Sequence, residues 1–548
     1  MKINALFENC DFTIDNYLNA HNIKDVQEFF NPTGKYIDNP LNYDNIEECV
    51  ELIKENLDNY IGILQDIDGD GLYSSVIIYR TLLSLNPKCK IKVFLHKNRV
   101  HGLNDKELMK EIIDSGIKLL IVPDASGGDF KQHKELSDNN IQCCCLEHHN
   151  VLQYSKHAIV VNNQPSKSVL NKCGSGALVT FKVCQLLNKE YANTMIDLVW
   201  FSLISDIMDM SSMENRTFAY FAKQKVQNKL LLKMFETYSK KSELNNTVIG
   251  WDIQPKISSA IRSDNEKLKQ YLFMALATEK DKYIDYVVDE CKKTHTKQTN
   301  EVNKYMTMLD SINENNMIIF EDISSYEFYP YYIGLVASKL SKKYNKPTIL
   351  YRPFNSKEYG GSVRSNIPIQ QTLLDSELFT YASGHSSALG VGFKKVNLDK
   401  LNEYVSNVDI NVAIEVACSC APKQIPNVNY GYTDEYIDLW GHGIKSPSYH
   451  IQPFTIYNTD IRTLGKGNTI KFSKDGVDFI SFFTSNDMKE RLYMNVDEKV
   501  KLEIECIVEL GYNIWQGRKS KQAIIQDFEC RKVDEDILDF DSIWGLTD

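Results

Sequence analysis

The 548-residue sequence lacks the features that mark membrane-bound and exported proteins. No apolar run reaches the roughly eighteen residues that a membrane-spanning helix needs. The first residues, MKINALFENCDF, contain no apolar core of the kind that a secretory signal peptide requires. There is also no internal repeat and no low-complexity tract. These absences predict a cytoplasmic, non-repetitive protein without a membrane anchor.

Clustered cysteines are lacking as well, although the chain contains 13 cysteines. Cys143, Cys144 and Cys145 are consecutive on a predicted strand and point to alternate faces, so they cannot act as one chelating trio. Cys418 and Cys420 could share a face, but no second pair completes a zinc site. In a cytoplasmic protein this scatter predicts reduced thiols and no structural zinc.

The chain also lacks an excess of positive charge, since its formal net charge is −11 at pH 7. Nucleic-acid binding depends on Lys and Arg contacts to phosphates, so it would require a local basic groove here. Arg518, Lys519 and Lys521 form one basic cluster close to Trp515. Single-strand binders stack bases on aromatic side chains in such grooves, whereas packing of the Trp in a core is the alternative.

Aspartates at strand ends are the most informative feature present. The segment QDIDGDGLYSS, residues 65–75, places three of them on alternate residues after the apolar run YIGIL: Asp66, Asp68 and Asp70. The run predicts a buried strand, and Gly71 lets the chain turn into a helix. Open α/β sheets carry their ligand sites at this edge. Three crowded carboxylates favour a hard divalent cation, although a solvated Asp/Gly turn is the alternative.

Three further apolar runs end in candidate ligands. The segment KLLIVPD ends at Asp124, QCCCLEHH ends at Glu147, His148 and His149, and the helical segment WFSLISD ends at Asp206. An imidazole together with carboxylates is a suitable ligand set for Mn²⁺ or Mg²⁺. The sequence therefore predicts a site for these ions, with two ions as the expected cofactors.

The arrangement of predicted elements indicates an α/β protein of three or four domains. The strands YIGILQD, IKVFLH, LLIVPD, QCCCLE and AIVVNN alternate with helical stretches, which predicts a mainly parallel sheet. A second α/β unit begins at MIIFEDI and continues through PTILYR. Short strands such as FTIYNTD, TIKFS and VDFISFF predict an all-β module near the carboxyl end.

Taken together, these motifs resemble the DHH phosphoesterase superfamily. DIDGDG, the Asp of VPDAS, the EHH triplet and the Asp of SLISD are similar, in order and spacing, to its motifs one to four. Six more segments resemble its RecJ single-strand exonuclease branch: 214–216, 255–263, 360–365, 382–390, 439–451 and 509–529. One departure is Glu147, which stands where the family has Asp and is one methylene longer.

The resemblance implies an α/β fold with a mainly parallel-sheet DHH domain, a helical connector, a smaller α/β DHHA1 domain and a C-terminal all-β OB-fold. The expected boundaries are a helical N-terminal lead-in over 1–58, the DHH catalytic domain over 59–212, the connector over 213–314, the DHHA1 domain over 315–402, and a linker with the OB-fold over 403–548.

Roles for individual residues follow from the ligand chemistry and from the resemblance. The expected metal ligands are Asp66, Asp68, Asp70, Asp124, His148 and Asp206. Asp124 is expected to bridge two ions, and the resemblance implies that His149 contacts the scissile phosphate while Glu147 orients the ligands. The expected substrate-binding residues are Arg99, Arg262, Ser362, Arg364, His385, Trp515 and Arg518.

The implied function is a Mn²⁺- or Mg²⁺-dependent exonuclease that degrades single-stranded DNA, with RNA as a further candidate substrate. Digestion would run from the 5′ end to mononucleotides, in DNA repair, recombination or replication, with a single-strand-binding protein or a helicase as candidate partner. One alternative is an oligoribonuclease or cyclic-dinucleotide phosphodiesterase, which would lack the β module. The other is a non-catalytic replication scaffold that has lost the metal ligands.

Overall fold

The computed structural model describes residues 2–97, 100–151, 153–309, 312, 316–410, 413–441, 443–465, 469–482, 486–515 and 518–533. Within these ranges the side chains of six residues are not described: Tyr331, His385, Asn486, Asp487, Ile514 and Trp515. Of the predicted substrate-binding residues, Arg99 therefore lies outside the described residues, as do the side chains of His385 and Trp515.

The strands are β1 (Ile3–Phe7), β2 (Tyr60–Gln65), β3 (Lys90–Leu95), β4 (Leu119–Pro123), β5 (Gln142–Glu147), β6 (Ile159–Asn162), β7 (Ile319–Asp322), β8 (Thr348–Pro353), β9 (Glu358–Arg364), β10 (Phe379–His385), β11 (Ala388–Lys394), β12 (Ile414–Cys420), β13 (Ser448–Tyr457), β14 (Arg462–Leu464), β15 (Thr469–Lys474), β16 (Val477–Phe482), β17 (Lys501–Trp515) and β18 (Arg518–Lys532).

The α-helices are α1 (Ile14–Ala20), α2 (Val26–Phe30), α3 (Ile46–Glu55), α4 (Gly69–Leu85), α5 (Lys106–Asp114), α6 (Phe130–Asp138), α7 (Gly176–Ala192), α8 (Ile196–Ser205), α9 (Met213–Gln224), α10 (Lys229–Tyr238), α11 (Asn246–Val248), α12 (Gln254–Ile261), α13 (Glu266–Thr278), α14 (Asp281–Met308), α15 (Ile333–Tyr344), α16 (Gln370–Asp375), α17 (Leu398–Asn407), α18 (Tyr432–Glu435) and α19 (Asn486–Arg491). In the described residues, no helix is both long and apolar enough to cross a membrane.

The chain forms two compact units. The first unit comprises Ile23–Glu301 and Asp438–Lys445, and the second comprises Met1–Asn22, Val302–Ile437 and Ser446–Asp548. The first unit contains a sheet of parallel strands in the order β3-β2-β4-β5-β6. Helices connect β2 to β3, β3 to β4 and β4 to β5, as is usual for parallel strands, whereas β5 leads to β6 without a helix. The predicted α/β fold with a parallel sheet, a helical region and C-terminal β strands is confirmed.

The second unit contains two mixed sheets. One has the order β10-β11-β9-β8-β7, in which only the pair of β7 and β8 is parallel. The other has the order β1-β12-β13-β17-β18-β16-β15-β14 and is built around the long antiparallel pair of β17 and β18. The identity of the C-terminal strands as an OB-fold stays a prediction.

Two expectations about the amino-terminal segment are wrong. Residues Ile3–Phe7 of the supposed helical lead-in form β1, which pairs in parallel with β12 in the register Ile3 to Ile414. Cys10 and Cys418 form a disulfide, so these two thiols are not free. Both errors have one cause, because the partners are about four hundred residues apart and leave no local pattern in the sequence.

A buried ion pair fixes the helices behind the parallel sheet. Lys182 on α7 is fully buried, and its Nζ lies 2.5 Å from Oε1 of Glu214 on α9. The same Nζ donates to the carbonyl oxygen of Asp38 at 2.6 Å. Glu214 also accepts from the Asp38 amide at 2.9 Å and from Nδ2 of Asn171 at 3.0 Å. These bonds compensate the buried charges and hold α7 in place.

Replacing Lys182 with Met should therefore lower the free energy of unfolding by about 3–5 kcal/mol, because the Glu214 carboxylate stays buried without its cation. Denaturant unfolding measures the change. The control is Lys134→Met, which removes an exposed pair with Asp138 and should cost less than about 1 kcal/mol. Equal, small effects of the two substitutions would contradict a structural role for the buried pair.

Candidate metal centre

The first three aspartates lie at the junction of β2 and α4. Asp66 follows the last residue of β2, and Asp68 is the N-cap of α4, with its Oδ1 accepting a hydrogen bond from the Gly71 amide at 3.0 Å. A Cβ at Gly71 would lie only 2.6 Å from the Cβ of Asp66. Glycine is therefore needed at position 71, where the first turn of α4 passes close to Asp66.

Asp70 is bound by the first turn of α7. Its carboxylate accepts hydrogen bonds from the amides of Gly176 at 2.6 Å and Ala177 at 2.8 Å, and from Oγ of Ser202 on α8 at 2.5 Å. Free amides at a helix N-terminus stabilise an anion. Asp70 is fully buried, and these three donors from two helices fix the position of its carboxylate.

Asp124 follows β4 in a left-handed backbone conformation, with φ of 65°. Its amide donates to the carbonyl oxygen of Leu146 on the neighbouring strand β5 at 2.8 Å. A Cβ at Gly176 would lie 2.7 Å from both the Cβ and the Oδ1 of Asp124. The first residue of α7 thus sets the position of Asp124 as well as that of Asp70.

His148 lies among three of these carboxylates. Its Nε2 is 3.1 Å from Oδ1 of Asp124, 3.5 Å from Oδ2 of Asp206 and 3.6 Å from Oδ2 of Asp70. Asp206 is the C-cap of α8. The structure thereby brings together all six predicted metal ligands, which come from β2, α4, β4, β5 and α8.

The ligand atoms form two sets of three, and each set lies within 4.8 Å. One set is Asp70, His148 and Asp206, and the other is Asp66, Asp68 and Asp124. Because Oδ1 of Asp124 is also 3.1 Å from His148, this carboxylate lies next to both sets. A further set within 4.8 Å, made of Asp124, His148 and His149, contains one member of each of these two sets.

The electrostatics of these atoms fit a bound cation. Burial, followed by the charges of Asp66 and Asp206, raises the pKa of Asp68 to about 6. Burial and the charges of Asp70 and Asp68 raise the pKa of Asp124 well above its usual range. The buried Oδ1 of Asp124 and Nε2 of His148 lie 3.1 Å apart, and among the described residues neither atom makes a hydrogen bond of good geometry. Carboxylate oxygens with one imidazole match the preferences of Mn²⁺ and Mg²⁺.

Glu147 holds the two histidines that follow it. Its Oε2 accepts from the amides of His148 at 3.0 Å and His149 at 3.2 Å, and from Nδ1 of His149 at 2.9 Å, while Oε1 accepts from the Gly127 amide at 3.0 Å. Burial opposes the charge of Glu147, but these bonds and the charge of His149 lower its pKa to about 2. Burial likewise opposes the charge of His149, but Glu147 raises the pKa of His149 to about 9.

Two histidines beside Asp66 are missed by the sequence prediction. Nδ1 of His101 lies 2.8 Å from Oδ2 of Asp66, and the Gly102 amide donates to Oδ1 at 3.2 Å. Nε2 of the buried His96 lies 3.8 Å from Oδ1 of Asp66. His96 directly follows the apolar strand β3. It therefore has the same sequence signal as Asp66 and Asp124, a polar residue at the end of an apolar strand.

The predicted substrate-binding residues fall in both units. Arg262 in the first unit is the C-cap of α12; burial lowers its pKa, and the nearby Asp68 opposes this shift. Ser362 and Arg364 lie on β9 of the second unit, where Arg364 donates to Oγ of Ser362 at 3.1 Å. Arg518 is exposed at the start of β18.

Residues 60–203 match the model of the DHH family, N-terminal domain. The chain is 27% identical to YorK of Bacillus subtilis, whose name describes an SPbeta prophage-derived single-strand DNA-specific exonuclease, over 95% of this chain and 97% of that protein. It is 23% identical to the single-stranded-DNA-specific exonuclease RecJ of Haemophilus influenzae, over 94% of this chain and 96% of that protein. The chain thus contains a match to the DHH family, N-terminal domain, and it is RecJ-like along nearly its whole length.

Solved RecJ structures share the fold of this RecJ-like chain. RecJ of Thermus thermophilus in complex with Mn²⁺ matches with a TM-score of 0.67 at 19% identity, covering 90% of this chain and 72% of that one. The structure with Mg²⁺ matches with a TM-score of 0.62 at 18% identity, covering 90% and 71%. At these identities the likeness establishes the fold.

Gly176→Ala should lower activity by about a hundredfold, because the added Cβ would displace Asp124 or α7 and misplace the ligands by about an ångström. The effect should appear in metal-dependent hydrolysis at saturating metal. Gly34→Ala is the matched control in the same unit, since a Cβ there meets no atom within 4 Å. Full activity of Gly176→Ala would contradict the close packing of α7 on the ligands.

Proposed function

We propose that this RecJ-like protein is a metal-dependent nuclease that hydrolyses phosphodiester bonds in single-stranded DNA. The observation that carries the proposal is the convergence of six predicted ligands into two adjacent sets, with Oδ1 of Asp124 in one set 3.1 Å from Nε2 of His148 in the other. The substrate class follows from the two relatives named as single-strand DNA-specific exonucleases, which align along nearly the whole chain. Digestion from the 5′ end to mononucleotides is part of the same proposal.

Two divalent ions, Mn²⁺ or Mg²⁺, would be held by Asp66, Asp68 and Asp124 on one side and by Asp70, His148 and Asp206 on the other. When bound, such ions activate water and neutralise charge on a phosphodiester. The protein's own contribution is to fix these ligands in advance. Asp70 is bound by three donors, and Asp124 is confined between β5 and α7.

His149 is proposed to bind the scissile phosphate. Its side chain is about half exposed, and its Nδ1 is held by the buried carboxylate of Glu147, which leaves Nε2 as the second donor of the ring. Glu147 raises the pKa of His149 to about 9 against the effect of burial, which favours the positively charged ring that suits a phosphate. Arg262, close to Asp68, is the second proposed phosphate contact in the first unit.

Contacts to the rest of the strand are proposed for the second unit and the remaining predicted residues. Ser362 and Arg364 share one face of β9, where Arg364 can donate to a phosphate. Arg518 and Lys519 are exposed on β18, and Nζ of Lys519 lies over the ring of Tyr512 at 3.7 Å. Arg99, His385 and Trp515 stay proposed substrate contacts from the sequence.

The alternatives are distinguished by the ligands and by the C-terminal strands. A non-catalytic scaffold has no need of the six converging ligands, each of which this chain retains. An enzyme for very short oligoribonucleotides or cyclic dinucleotides has no need of the extended β17 and β18 pair with its exposed basic residues. Long single strands are therefore the preferred substrate class.

Asp124→Ala should retain less than about a hundredth of wild-type activity, because both proposed ions lose a shared ligand. The assay is Mn²⁺-dependent digestion of single strands labelled at the 5′ or 3′ end, with DNA and RNA compared. Asp138→Ala, an exposed substitution on α6, is the control and should be fully active. Turnover of Asp124→Ala near the wild-type rate would refute the metal-centre assignment, whereas release of label from the 3′ end first would refute only the polarity.

A double substitution, Arg518→Ala with Lys519→Ala, should weaken binding to long single strands and reduce its salt dependence. The slope of log K against log salt should fall by about 0.7 for each phosphate that the protein no longer neutralises. Hydrolysis of dinucleotides should change little. Lys292→Ala with Lys297→Ala on α14 removes the same charge as a control, and an equal weakening there would mean that only net charge matters.

A further inference from the structure

A second group of metal-binding atom types lies in the first unit, apart from the carboxylates. It consists of His133 on α6 and of Cys143 and Cys145 on β5, all buried, with the ring nitrogen and both sulfurs within 4.8 Å of one another. Nε2 of His133 lies 3.5 Å from Sγ of Cys145. None of these residues belongs to the proposed catalytic ligands.

Strand geometry explains why two of the three consecutive cysteines meet His133. Cys143 and Cys145 are alternate residues of β5, so both point to the face that α6 covers, and both pack in one core with Leu136 of that helix. Cys144 points to the opposite face and packs in the core with α4 and α7. The three cysteines do not form a trio, as expected, but α6 supplies a different third ligand.

We propose that His133, Cys143 and Cys145 form a binding site for a thiophilic metal ion such as Zn²⁺. Zinc bonds to sulfur are about 2.3 Å and to imidazole nitrogen about 2.0 Å, which at tetrahedral angles separates the two ligand atoms by about 3.5 Å. Nε2 of His133 and Sγ of Cys145 already have this separation. This pair of ligand atoms already has the spacing that the ion needs, and Sγ of Cys143 lies within 4.8 Å of both.

Charge also favours this occupant. Two thiolates neutralise a divalent ion and a neutral imidazole adds no charge, so the complex can be buried without a net charge. The surrounding side chains are apolar, among them Leu136, Val122 and Val160. Among the described residues, Nδ1 of His133 has no hydrogen-bond partner, so the ring is held through its contact with the thiols of Cys143 and Cys145. A metal–nitrogen bond is stronger than that contact.

The consequence would be a link between α6 and the strand that carries the catalytic histidines. Cys145 lies two residues before Glu147, which binds the amides of His148 and His149. An ion at Cys145 would therefore hold the end of β5 against α6. The role is structural and distinct from the ions at the carboxylates, and it does not depend on the proposed nuclease activity.

Co²⁺ is a suitable probe, because cobalt–thiolate bonds give charge-transfer bands in the near ultraviolet that carboxylate sites do not give. The full-length, chelator-treated protein is titrated with Co²⁺ alone. The bands should appear in the wild type and in Asp124→Ala, and Zn²⁺ should abolish them. They should disappear in Cys143→Ser and Cys145→Ser and persist in Cys144→Ser and Cys420→Ser.

A wild-type protein that binds Co²⁺ without thiolate bands would overturn the proposal, since a hydrogen-bonded thiol pair gives that result. Loss of the bands in Cys420→Ser would also overturn it by assigning them to the group of Cys10, Cys418 and Cys420. Should the serine variants at 143 and 145 not fold, zinc X-ray absorption of the wild type decides. Sulfur neighbours at about 2.3 Å are expected, and oxygen and nitrogen neighbours alone would contradict the site.

Discussion

The hydrogen bonds between the first turn of α7 and Asp70 are the interaction on which the metal centre depends. The amides of Gly176 and Ala177 bind the Asp70 carboxylate, and the bare Cα of Gly176 lets Asp124 approach the same turn. Further along this helix, Lys182 is anchored by Glu214. One helix thus places two carboxylates that come from different strands, and the other ligands assemble around them.

This packing concentrates negative charge where water is largely excluded. Burial and mutual repulsion raise the pKa values of Asp68 and Asp124, so the ligand set stores an electrostatic penalty that a divalent cation relieves. Glu147 has the opposite environment, because four hydrogen bonds and a neighbouring imidazolium lower its pKa. The two environments distinguish the proposed cation ligands from Glu147, whose carboxylate is bound by the two histidines that follow it.

The convergence of the six proposed ligands could be predicted from sequence because its signal is local. The strands β2 and β4 and the helix α8 are each followed by an aspartate, and β5 ends at an acidic residue that two histidines follow. The parallel sheet brings the ends of its strands together at one edge. Long-range partners could not be predicted in this way. The pairing of β1 with β12, the disulfide between Cys10 and Cys418, and the cation that Lys182 supplies to Glu214 all join distant segments without a local pattern. The contact of His101 with Asp66 could not be predicted, because the sequence does not show which side chain of the loop around Arg99 faces that carboxylate.

The number and coupling of bound Mn²⁺ ions test the central claim most directly. Electron paramagnetic resonance of the full-length protein counts bound ions by the loss of the free Mn²⁺ signal, and Mn²⁺ has little preference for thiolates, so the cysteine group does not interfere. We expect two ions per chain with magnetically coupled spins, because Asp124 lies next to both ligand sets. A single bound ion, or two ions without coupling, would contradict a shared carboxylate at the centre of the site.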